Sequence, residues 1–242
     1  MTKWNAHFDN SPKKKSPAAL VDDVGHRQVT TTLSRVSTDR TRRRVLLIRH
    51  GQTEWSLSDQ HTGRTDIDLT AKGEQDAAAL KGITERIGLH QPFVFASPRR
   101  RAQRTAELAG LTVDETSELF AEWDYGDYEG LTRVQIQADH DPTWAIWTHG
   151  APGGESVADM TRRVDAAVDR VESQLGSSDV VVVSHGHFSR SFICRFLRWP
   201  ISQGADIDLR PAGSALLAEA GGDRRLSELR GPVGEWAKPT SI

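Results

Sequence analysis

The chain has 242 residues, of which 26% are charged and 37% hydrophobic, a balance typical of a globular protein rather than a fibrous or membrane-embedded one. No run approaches the roughly 18 consecutive apolar residues of a membrane-spanning helix, and the N-terminus lacks the apolar core of a secretion signal. The single cysteine, Cys194, excludes an internal disulfide and a metal cage built of thiolates, so we expect a cytoplasmic protein with no membrane partner.

Residues 1–44 differ in charge from the rest of the chain. They contain ten Lys or Arg against four Asp or Glu and show no apolar periodicity, whereas residues 45–242 contain 21 against 29. We therefore predict a disordered basic arm, followed by one folded domain over residues 45–242. A basic run can bind nucleic acid, but such runs more often keep a chain hydrated, and no nucleic-acid partner is expected.

Short apolar runs and helical periodicities predict strands that alternate with helices. Thr70 and Ser97 are the predicted caps of the first two helices, with Pro98 opening the second. The alternation predicts an α/β fold, a three-layer sandwich with a mainly parallel central sheet and helices on both faces. In chain order, the elements are a strand at 45–48, a polar loop to 69, a helix at 70–87, a strand at 93–96, a helix at 97–108, a helix at 155–175, a strand at 180–183, a helix at 188–197 and a strand at 214–218.

Polar clusters directly follow three of the predicted strands. They occupy residues 49–50, 97–101 and 185–187. In sheets of this kind, ligands bind where parallel strands end at their carboxyl edge. We therefore expect the three clusters to meet at one site.

The residue types in these clusters suit phosphate chemistry. A neutral imidazole such as that of His50 keeps a free lone pair and is a competent nucleophile at neutral pH. The planar fork of arginine matches phosphate oxygens, and only one of the four arginines that follow residue 97 needs to contact the anion. The alternative is that Arg49 and His50 form a buried pair that is hydrogen-bonded to carboxylates.

Two other clusters have alternatives that the residues leave open. His185 and His187 could bind a metal together, but no carboxylate or thiolate ligand adjoins them, so we predict no metal site. The acidic and aromatic segment 122–130 is framed by glycines. A carboxylic acid such as Glu122, held near apolar rings, can keep its proton and act as a general acid, whereas the alternative is an ordinary surface loop.

Four motifs of the chain span about residues 45–215 and occur in an order typical of one family. They are Arg49-His50-Gly51-Gln52-Thr53-Glu54-Trp55 with Thr62-Gly63, Ser97-Pro98 with Arg101-Ala102 and Thr105-Ala106, Glu122 with Tyr125-Gly126 and Gly130, and Ser184-His185-Gly186-His187. In these motifs the chain resembles the histidine phosphatase superfamily, in its phosphoglycerate mutase-like branch. The resemblance is closest to bacterial acid phosphatases and sugar-phosphate phosphatases.

The resemblance implies a role for each of five residues. It makes His50 the nucleophile that becomes phosphorylated, and Arg49 and Arg101 the clamp for the phosphoryl oxygens. His185 would be the second histidine of the pocket, and Glu122 would protonate the leaving oxygen and then activate water. The stretches that line the substrate pocket in relatives supply the further candidates Gln52, Thr53, Ser56, Thr62, Gly63, Tyr125, Gly186 and His187.

These assignments predict a phosphomonoester hydrolase that acts on a small phosphorylated substrate, without a cofactor, through a phosphohistidine. A phosphoglycerate mutase is the alternative, but a mutase needs cations for the substrate carboxylate, and segment 131–153, where mutases carry them, has only Arg133. A catalytically dead binding module conflicts with the filled catalytic positions. Arg64, Arg99 and Arg100 are spare cations that could hold a second phosphate. The sequence does not choose between a monomer and a dimer.

The predicted clamp makes a metal ion unnecessary. Two arginines and a histidine supply the positive charge that the transferred phosphoryl group requires. We therefore expect phosphatase activity to persist at its full rate in EDTA. Loss of activity in the chelator, with recovery on addition of Mg²⁺ or Zn²⁺, would contradict this prediction.

Overall fold

A computed structural model of the chain describes residues 43–232. The predicted basic arm lies outside the described residues, apart from Arg43 and Arg44, which belong to the first strand. Arg44 is held there by an ion pair with Asp179, in which Nη2 and Oδ2 are 2.6 Å apart. The folded part of the chain therefore extends at least two residues further toward the N-terminus than the apolar pattern indicates.

Within the described residues, six strands form one sheet. They are β1 Arg43–Arg49, β2 Phe93–Ala96, β3 Glu115–Thr116, β4 Val180–Ser184, β5 Ser214–Ala220 and β6 Asp223–Arg230. Their order across the sheet is β3-β2-β4-β1-β5-β6. The first four strands in this order are parallel, and β5 and β6 each pair with their neighbours in antiparallel fashion.

Helices cover both faces of this sheet. They are α1 Glu54–Leu57, α2 Ala71–Ala79, α3 Ile83–Arg86, α4 Arg100–Leu108, α5 Arg133–Asp139, α6 Ile146–His149, α7 Val157–Leu175 and α8 Gly186–Phe196. Val45 and Leu47 of β1 pack into one core with α7 and α8, whereas Leu46 and Ile48 pack into a second core with α3 and α4. Because neighbouring side chains of a strand point to opposite faces, two cores mean two covered faces. The predicted three-layer α/β sandwich is confirmed.

The helix predicted over residues 70–87 is divided into α2 and α3. Thr70 caps α2 as expected, since its side chain accepts a hydrogen bond from the amide of Gly73. The division occurs at Gly82, whose φ of 74° lies in the left-handed region and cannot continue a right-handed helix. Leu80 and Ile83 are buried in the same core, so the apolar spacing that predicted one helix continues across the break between α2 and α3.

The starts of two helices differ from their predicted positions because side chains from elsewhere in the chain contact them. Ser97 does not cap α4, which begins at Arg100; instead the amide of Arg100 donates to Oδ1 of Asp66 at 2.8 Å. Helix α8 begins at Gly186, two residues before the predicted start, because Glu122 accepts its first amides.

Strand β6 is not predicted from its sequence because it is an edge strand rich in charge. Its residues alternate between exposed and half-buried, and none of them is fully buried. The available signal was Gly221-Gly222, which joins β5 to β6 with φ angles of 62° and 91°. Paired glycines between two strand-forming segments are typical of a hairpin.

None of the helices described between residues 43 and 232 combines the length and the apolar character needed to cross a bilayer.

Candidate active site

The carboxyl ends of three neighbouring strands bring the predicted polar clusters together. The amide of His50, after β1, donates to the carbonyl of Ser184 at 2.9 Å, and the amide of Ser97, after β2, donates to the carbonyl of Val183 at 3.0 Å. Strand β4 lies between these two strands and ends next to His185. The rings of His50 and His185 lie edge to face, with their centroids 5.2 Å apart. The three clusters therefore meet at one edge of the sheet.

The ring of His50 is buried and held in one tautomer. Its Nδ1 lies 2.7 Å from the carbonyl oxygen of Gly51, which can only accept, so Nδ1 carries the proton and Nε2 keeps the lone pair. Burial, followed by the positive charges of Arg101 and Arg49, lowers the pKa of His50 well below its usual range. The imidazole is therefore neutral and nucleophilic at Nε2, in mildly acidic as well as neutral solution.

The loop that carries His50 is held by close backbone contact with α2 and α4. A Cβ atom on Gly51 would lie 2.4 Å from the carbonyl oxygen of Gly73, so any larger residue would displace the loop. The amide of Gly51 donates to the hydroxyl of Thr105 at 3.0 Å. The position of His50 is thus determined by two helices as well as by the strand.

Arg49 and Arg101 each keep one buried N–H group that finds no acceptor among the described residues, and in both side chains this group is Nε. Nη1 of Arg49 donates to the carbonyl of Leu209 at 2.8 Å, and the two Nη atoms of Arg101 donate to the carbonyls of Thr65 and Thr62 at 2.9 Å. Burial lowers the pKa of both guanidinium groups from an ordinary value far above neutrality. An unpaired buried cation is costly, so both Nε–H groups are suited to an anion.

Ser97 and His185 form a hydrogen bond that links the second and third clusters. Nε2 of the fully buried His185 lies 2.7 Å from the hydroxyl oxygen of Ser97. That oxygen also accepts from the amide of Arg99 at 3.3 Å, which leaves its proton and one lone pair for the ring of His185. Nδ1 of His185 is buried with no partner in the described part of the chain, and it carries the ring proton when the Ser97 hydroxyl donates to Nε2. Burial and the charge of Arg101 lower the pKa of His185 well below its usual range.

We expect Ser97→Ala to lower kcat roughly 10- to 100-fold, because a second partner that orients a functional histidine is commonly worth that much. Without the hydroxyl, His185 can place its proton on Nε2 and lose the donor at Nδ1. The measurement is kcat together with the ¹⁵N shifts of the His185 ring. If His185 keeps the Nδ1–H tautomer in the variant, and the loss of activity only follows a loss of thermal stability, then Ser97 does not orient His185.

Glu122 is anchored at the beginning of α8. Its Oε1 accepts the amides of Trp123 at 2.9 Å and Phe188 at 2.8 Å, and its Oε2 accepts the amide of His187 at 3.0 Å. The carboxyl group is buried, and it interacts electrostatically with Arg49 and Arg101. The segment 122–130 is therefore not an ordinary surface loop at its first residue.

A half-buried ion pair supports the backbone around Glu122. Arg163 of α7 pairs with Glu155, with Nε and Oε1 2.7 Å apart, and donates to the carbonyls of Ala121 and Glu122 at 2.9 and 3.2 Å. Glu155 in turn accepts the amide of Asp124 at 3.0 Å. These contacts hold the backbone of Glu122 in place in addition to the bonds that its carboxyl group forms with α8.

Three residues that the motifs predict as substrate contacts form hydrogen bonds within the local structure. The hydroxyls of Thr53 and Ser56 form a capping box at the start of α1, in which each accepts from the amide of the other. The side-chain oxygen of Gln52 accepts the hydroxyl of Thr70 at 2.9 Å, which braces the start of α2. The amide nitrogen of Gln52 and the hydroxyl proton of Thr53 have no hydrogen-bond partner among the described residues, so both are available to a ligand.

Thr62 and Gly63 contact the other residues of the site through their backbone groups rather than through side chains. The carbonyl of Thr62 accepts from Arg101, as described above, and the amide of Gly63 donates to both carboxylate oxygens of Glu129, at 2.8 and 3.0 Å. A Cβ atom on Gly63 would lie 2.5 Å from the carbonyl oxygen of Trp123. The pair therefore positions the arginine clamp.

The remaining predicted residues lie on one wall of the site. A Cβ atom on Gly186 would lie 3.1 Å from Cζ of Arg49, so glycine makes room for the guanidinium group. The hydroxyl of the buried Tyr125 lies 2.7 Å from Nδ1 of the half-buried His187. His61, which the motif comparison passed over, packs against Tyr125 with ring centroids 4.6 Å apart. His61 could have been identified from the sequence, because it lies directly before the Thr62-Gly63 motif.

The three spare cations of the sequence are paired with carboxylates. Arg64 lies 2.8 Å from Asp124, Arg99 lies 3.0 Å from Glu118, and Arg100 lies 3.3 Å from Asp66. Local sequence could not reveal these partners, because all of them come from other segments. The hypothesis that these arginines bind a second phosphate therefore has no support from their surroundings.

The two histidines of the last motif have different partners. His185 is bonded to Ser97, whereas His187 is bonded to Tyr125. Among residues 43–232, no group of three or more His, Cys, Asp or Glu side chains is arranged to hold a metal ion.

Comparison with known proteins agrees with this geometry. The sequence model of the histidine phosphatase superfamily (branch 1) matches residues 45–230, and so covers all the residues of the candidate site. The chain belongs to this superfamily. An acid phosphatase of Mycobacterium tuberculosis is 45% identical over 186 residues, which are 77% of this chain and 91% of that protein.

Other members of the superfamily are related less closely in sequence. Sedoheptulose 1,7-bisphosphatase of Saccharomyces cerevisiae is 34% identical over 177 residues, covering 62% of this chain and 65% of that protein. Several bacterial 2,3-bisphosphoglycerate-dependent phosphoglycerate mutases also match, at 29 to 33% identity. A solved structure of an open reading frame product from Mycobacterium tuberculosis, 44% identical, superposes with a TM-score of 0.76 over 78% of this chain and 98% of that one. The superfamily and its fold, both predicted from the motifs, are confirmed.

Proposed function

We propose that this histidine phosphatase superfamily member is a phosphomonoester hydrolase, an acid or sugar-phosphate phosphatase that acts through a phosphohistidine on His50. One observation carries the proposal. Nε of Arg49, Nε of Arg101 and Nδ1 of His185 are buried nitrogens with no hydrogen-bond partner among the described residues, and all three side chains interact electrostatically with or pack against His50. The two guanidinium nitrogens are donors, and Nδ1 is a third donor when the Ser97 hydroxyl donates to Nε2. A phosphoryl group has three outer oxygens to accept such donors.

In the first step, Nε2 of His50 attacks phosphorus with its lone pair, and the bond from phosphorus to the leaving oxygen breaks. Glu122, protonated in the substrate complex, gives its proton to that oxygen, and the alcohol departs. Arg49 and Arg101 stabilise the negative charge on the outer phosphoryl oxygens throughout.

In the second step, the Glu122 carboxylate takes a proton from a water molecule whose oxygen attacks phosphorus. The bond between phosphorus and Nε2 breaks, and inorganic phosphate leaves with His50 neutral again. The three amides that hydrogen-bond Glu122 suit this step, because they hold the carboxylate in position to accept a proton.

We expect Glu122→Gln to lower kcat/KM for an alkyl phosphate by about 100- to 1,000-fold, within the usual range for general acid catalysis. With p-nitrophenyl phosphate the fall should be less than about tenfold, because nitrophenolate departs without a proton. The parameter kcat/KM reports only the steps up to departure of the alcohol, so the later attack of water does not affect the comparison of the two substrates. Glu118→Gln, at an exposed glutamate paired with Arg99, is the control. Equal falls with both substrates would rule out the acid role.

The segment where mutases carry their carboxylate-binding cations is here part of the core. Trp144, Ile146 and Trp147 of segment 131–153 are buried, and its single cation, Arg133, lies at the first residue of α5. A mutase must also shield its phosphohistidine from water and return the phosphate to a substrate. These features favour the hydrolase over the mutase.

A phosphate-release screen over phosphosugars, phosphoglycerates and nucleotides tests the proposal directly. We expect stoichiometric release of inorganic phosphate from at least one phosphomonoester. Interconversion of 2- and 3-phosphoglycerate that is faster than phosphate release would identify a mutase instead.

A further inference from the structure

The guanidinium group of Arg163, on α7, donates to three carbonyl groups of one short segment. Its Nη1 donates to the carbonyls of Leu119 at 3.1 Å and Ala121 at 2.9 Å, and its Nη2 donates to the carbonyl of Glu122 at 3.2 Å. No backbone amide among residues 43–232 donates to any of these three carbonyls. The backbone that leads into Glu122 is therefore fixed by a side chain from another element.

Arg163 is itself held in one orientation by Glu155. Its Nε lies 2.7 Å from Oε1 of Glu155 and its Nη2 lies 2.7 Å from Oε2, so the pair is bidentate, and each side chain is 18% exposed. Glu155 also binds the chain beyond Glu122. Its Oε2 accepts the amide of Asp124 and its carbonyl accepts Nε1 of Trp123, both at 3.0 Å. The ion pair thus holds the chain before and after Glu122.

The hydrogen bonds of this ion pair do not depend on the protonation state of Glu122, whereas those from α8 do. The amides of His187 and Phe188 donate to the two carboxyl oxygens of Glu122. When Glu122 is protonated, as the first step of the proposed reaction requires, one of these oxygens becomes a hydroxyl with less capacity to accept. The backbone carbonyls that Arg163 binds keep their capacity. In the acid form, the positioning of Glu122 therefore depends more on Arg163.

We propose that Arg163, held by Glu155, is a positioning residue for the acid, and that it keeps protonated Glu122 where the proton can pass to the leaving oxygen. The inference rests on the hydrolase function proposed above and assigns a further residue to that reaction. A displacement of about 1 Å can cost about 100-fold in rate. Loss of Arg163 should therefore impair proton transfer to the leaving group rather than attack on phosphorus.

The test compares two phosphomonoesters in a variant that keeps the charge of Arg163. Arg163→Lys can still pair with Glu155, but its single ammonium group cannot replace a planar fork that binds three carbonyls. We expect kcat/KM for an alkyl phosphate to fall roughly 10- to 100-fold. With p-nitrophenyl phosphate the fall should be less than about threefold, because nitrophenolate departs without a proton. A variant that is merely less well folded would lose activity equally with both substrates.

Arg170→Lys is the matched control. Arg170 is another half-buried arginine of α7 that is paired with a glutamate, Glu115. Its guanidinium group packs over the rings of Phe93 and Phe95, away from the segment that Arg163 binds. This variant should leave the ratio of the two kcat/KM values unchanged.

A double variant shows whether Arg163 acts through Glu122. In a Glu122→Gln background, Arg163→Lys should cost less than about twofold more with the alkyl phosphate, because the acid is already absent. Equal falls with both substrates, or a full additional loss in this background, would overturn the inference. Glu155→Gln is a milder change that should shift the same ratio roughly 2- to 10-fold, about the worth of one hydrogen bond. If Arg163→Lys does not fold, an unchanged ratio in Glu155→Gln would overturn the inference instead.

Hydrogen exchange separates this inference from the proposed function, because it needs no turnover. The amides of His187 and Phe188 report whether the carboxyl group of Glu122 stays in place. Arg163→Lys should make their exchange roughly tenfold faster, and Arg170→Lys should not. If wild type hydrolyses neither substrate but this difference is found, the phosphatase proposal fails and the positioning of Glu122 stands. If both substrates are hydrolysed and neither the ratio nor the exchange changes, only the positioning role fails.

Discussion

His50→Ala should lower kcat/KM by at least about 10⁴-fold, because the variant has no atom that can form the covalent intermediate. The chain should still fold, since His50 contributes one hydrogen bond, to the carbonyl of Gly51, and the surrounding strands pair through their backbones. The measurement is phosphate release together with the temperature of thermal unfolding. His90→Ala, at an exposed histidine, is the matched control and should retain full activity.

The same experiment can identify the intermediate. Wild type mixed with labelled substrate and quenched at alkaline pH should carry the label on the peptide that contains His50, since a bond between phosphorus and imidazole nitrogen survives base better than acid. His50→Ala should carry none. Label on another residue, or turnover that persists in the variant, would show that His50 is not the nucleophile.

Arg101→Lys should lower kcat/KM by about 10³-fold, within the range reported for arginines that stabilise a transferred phosphoryl group. Arg101 does two things at once. Its Nη atoms donate to carbonyls of the loop at residues 62–65, while its unpartnered Nε–H is available to the phosphoryl group. A lysine ammonium is a single point charge and cannot do both. Inhibition by inorganic phosphate should weaken in parallel.

A stability measurement distinguishes the two roles of Arg101. Loss of the carbonyl contacts should lower the unfolding temperature, and loss of the phosphoryl contact should not. Arg100→Lys, at the exposed neighbour that pairs with Asp66, should change kcat/KM by less than about twofold. A lysine variant of position 101 that is less stable but keeps kcat/KM within tenfold of wild type would limit Arg101 to supporting the loop.

The protonation of His50 connects the fold to the pH at which the enzyme can work. Because burial and two guanidinium groups lower its pKa, the imidazole remains a nucleophile in solutions acidic enough to protonate an exposed histidine. The two arginines that we propose as the phosphate clamp therefore also keep the imidazole of His50 unprotonated. This electrostatic arrangement is compatible with the activity of the acid phosphatase relative.

The architecture, and the strand end at which His50 lies, could be predicted from the sequence alone. Apolar runs that end in polar residues are local features, and parallel strands place such ends at one edge, so the meeting of His50 with His185 followed from pattern alone. The order of the four motifs was enough for the superfamily. The break at Gly82 and the hairpin at Gly221-Gly222 escaped prediction, although both had local signals.

Which polar side chains have hydrogen-bond or ion-pair partners could be learned only from the folded structure. Ser97 looks like a helix cap by every local rule, but its hydroxyl is taken by His185, 88 residues away. Arg64 looks free in the sequence and is neutralised by Asp124. The physical reason is that hydrogen bonds and ion pairs between distant segments depend on distances that appear only after the chain has packed, while periodicity and strand ends are properties of neighbouring residues.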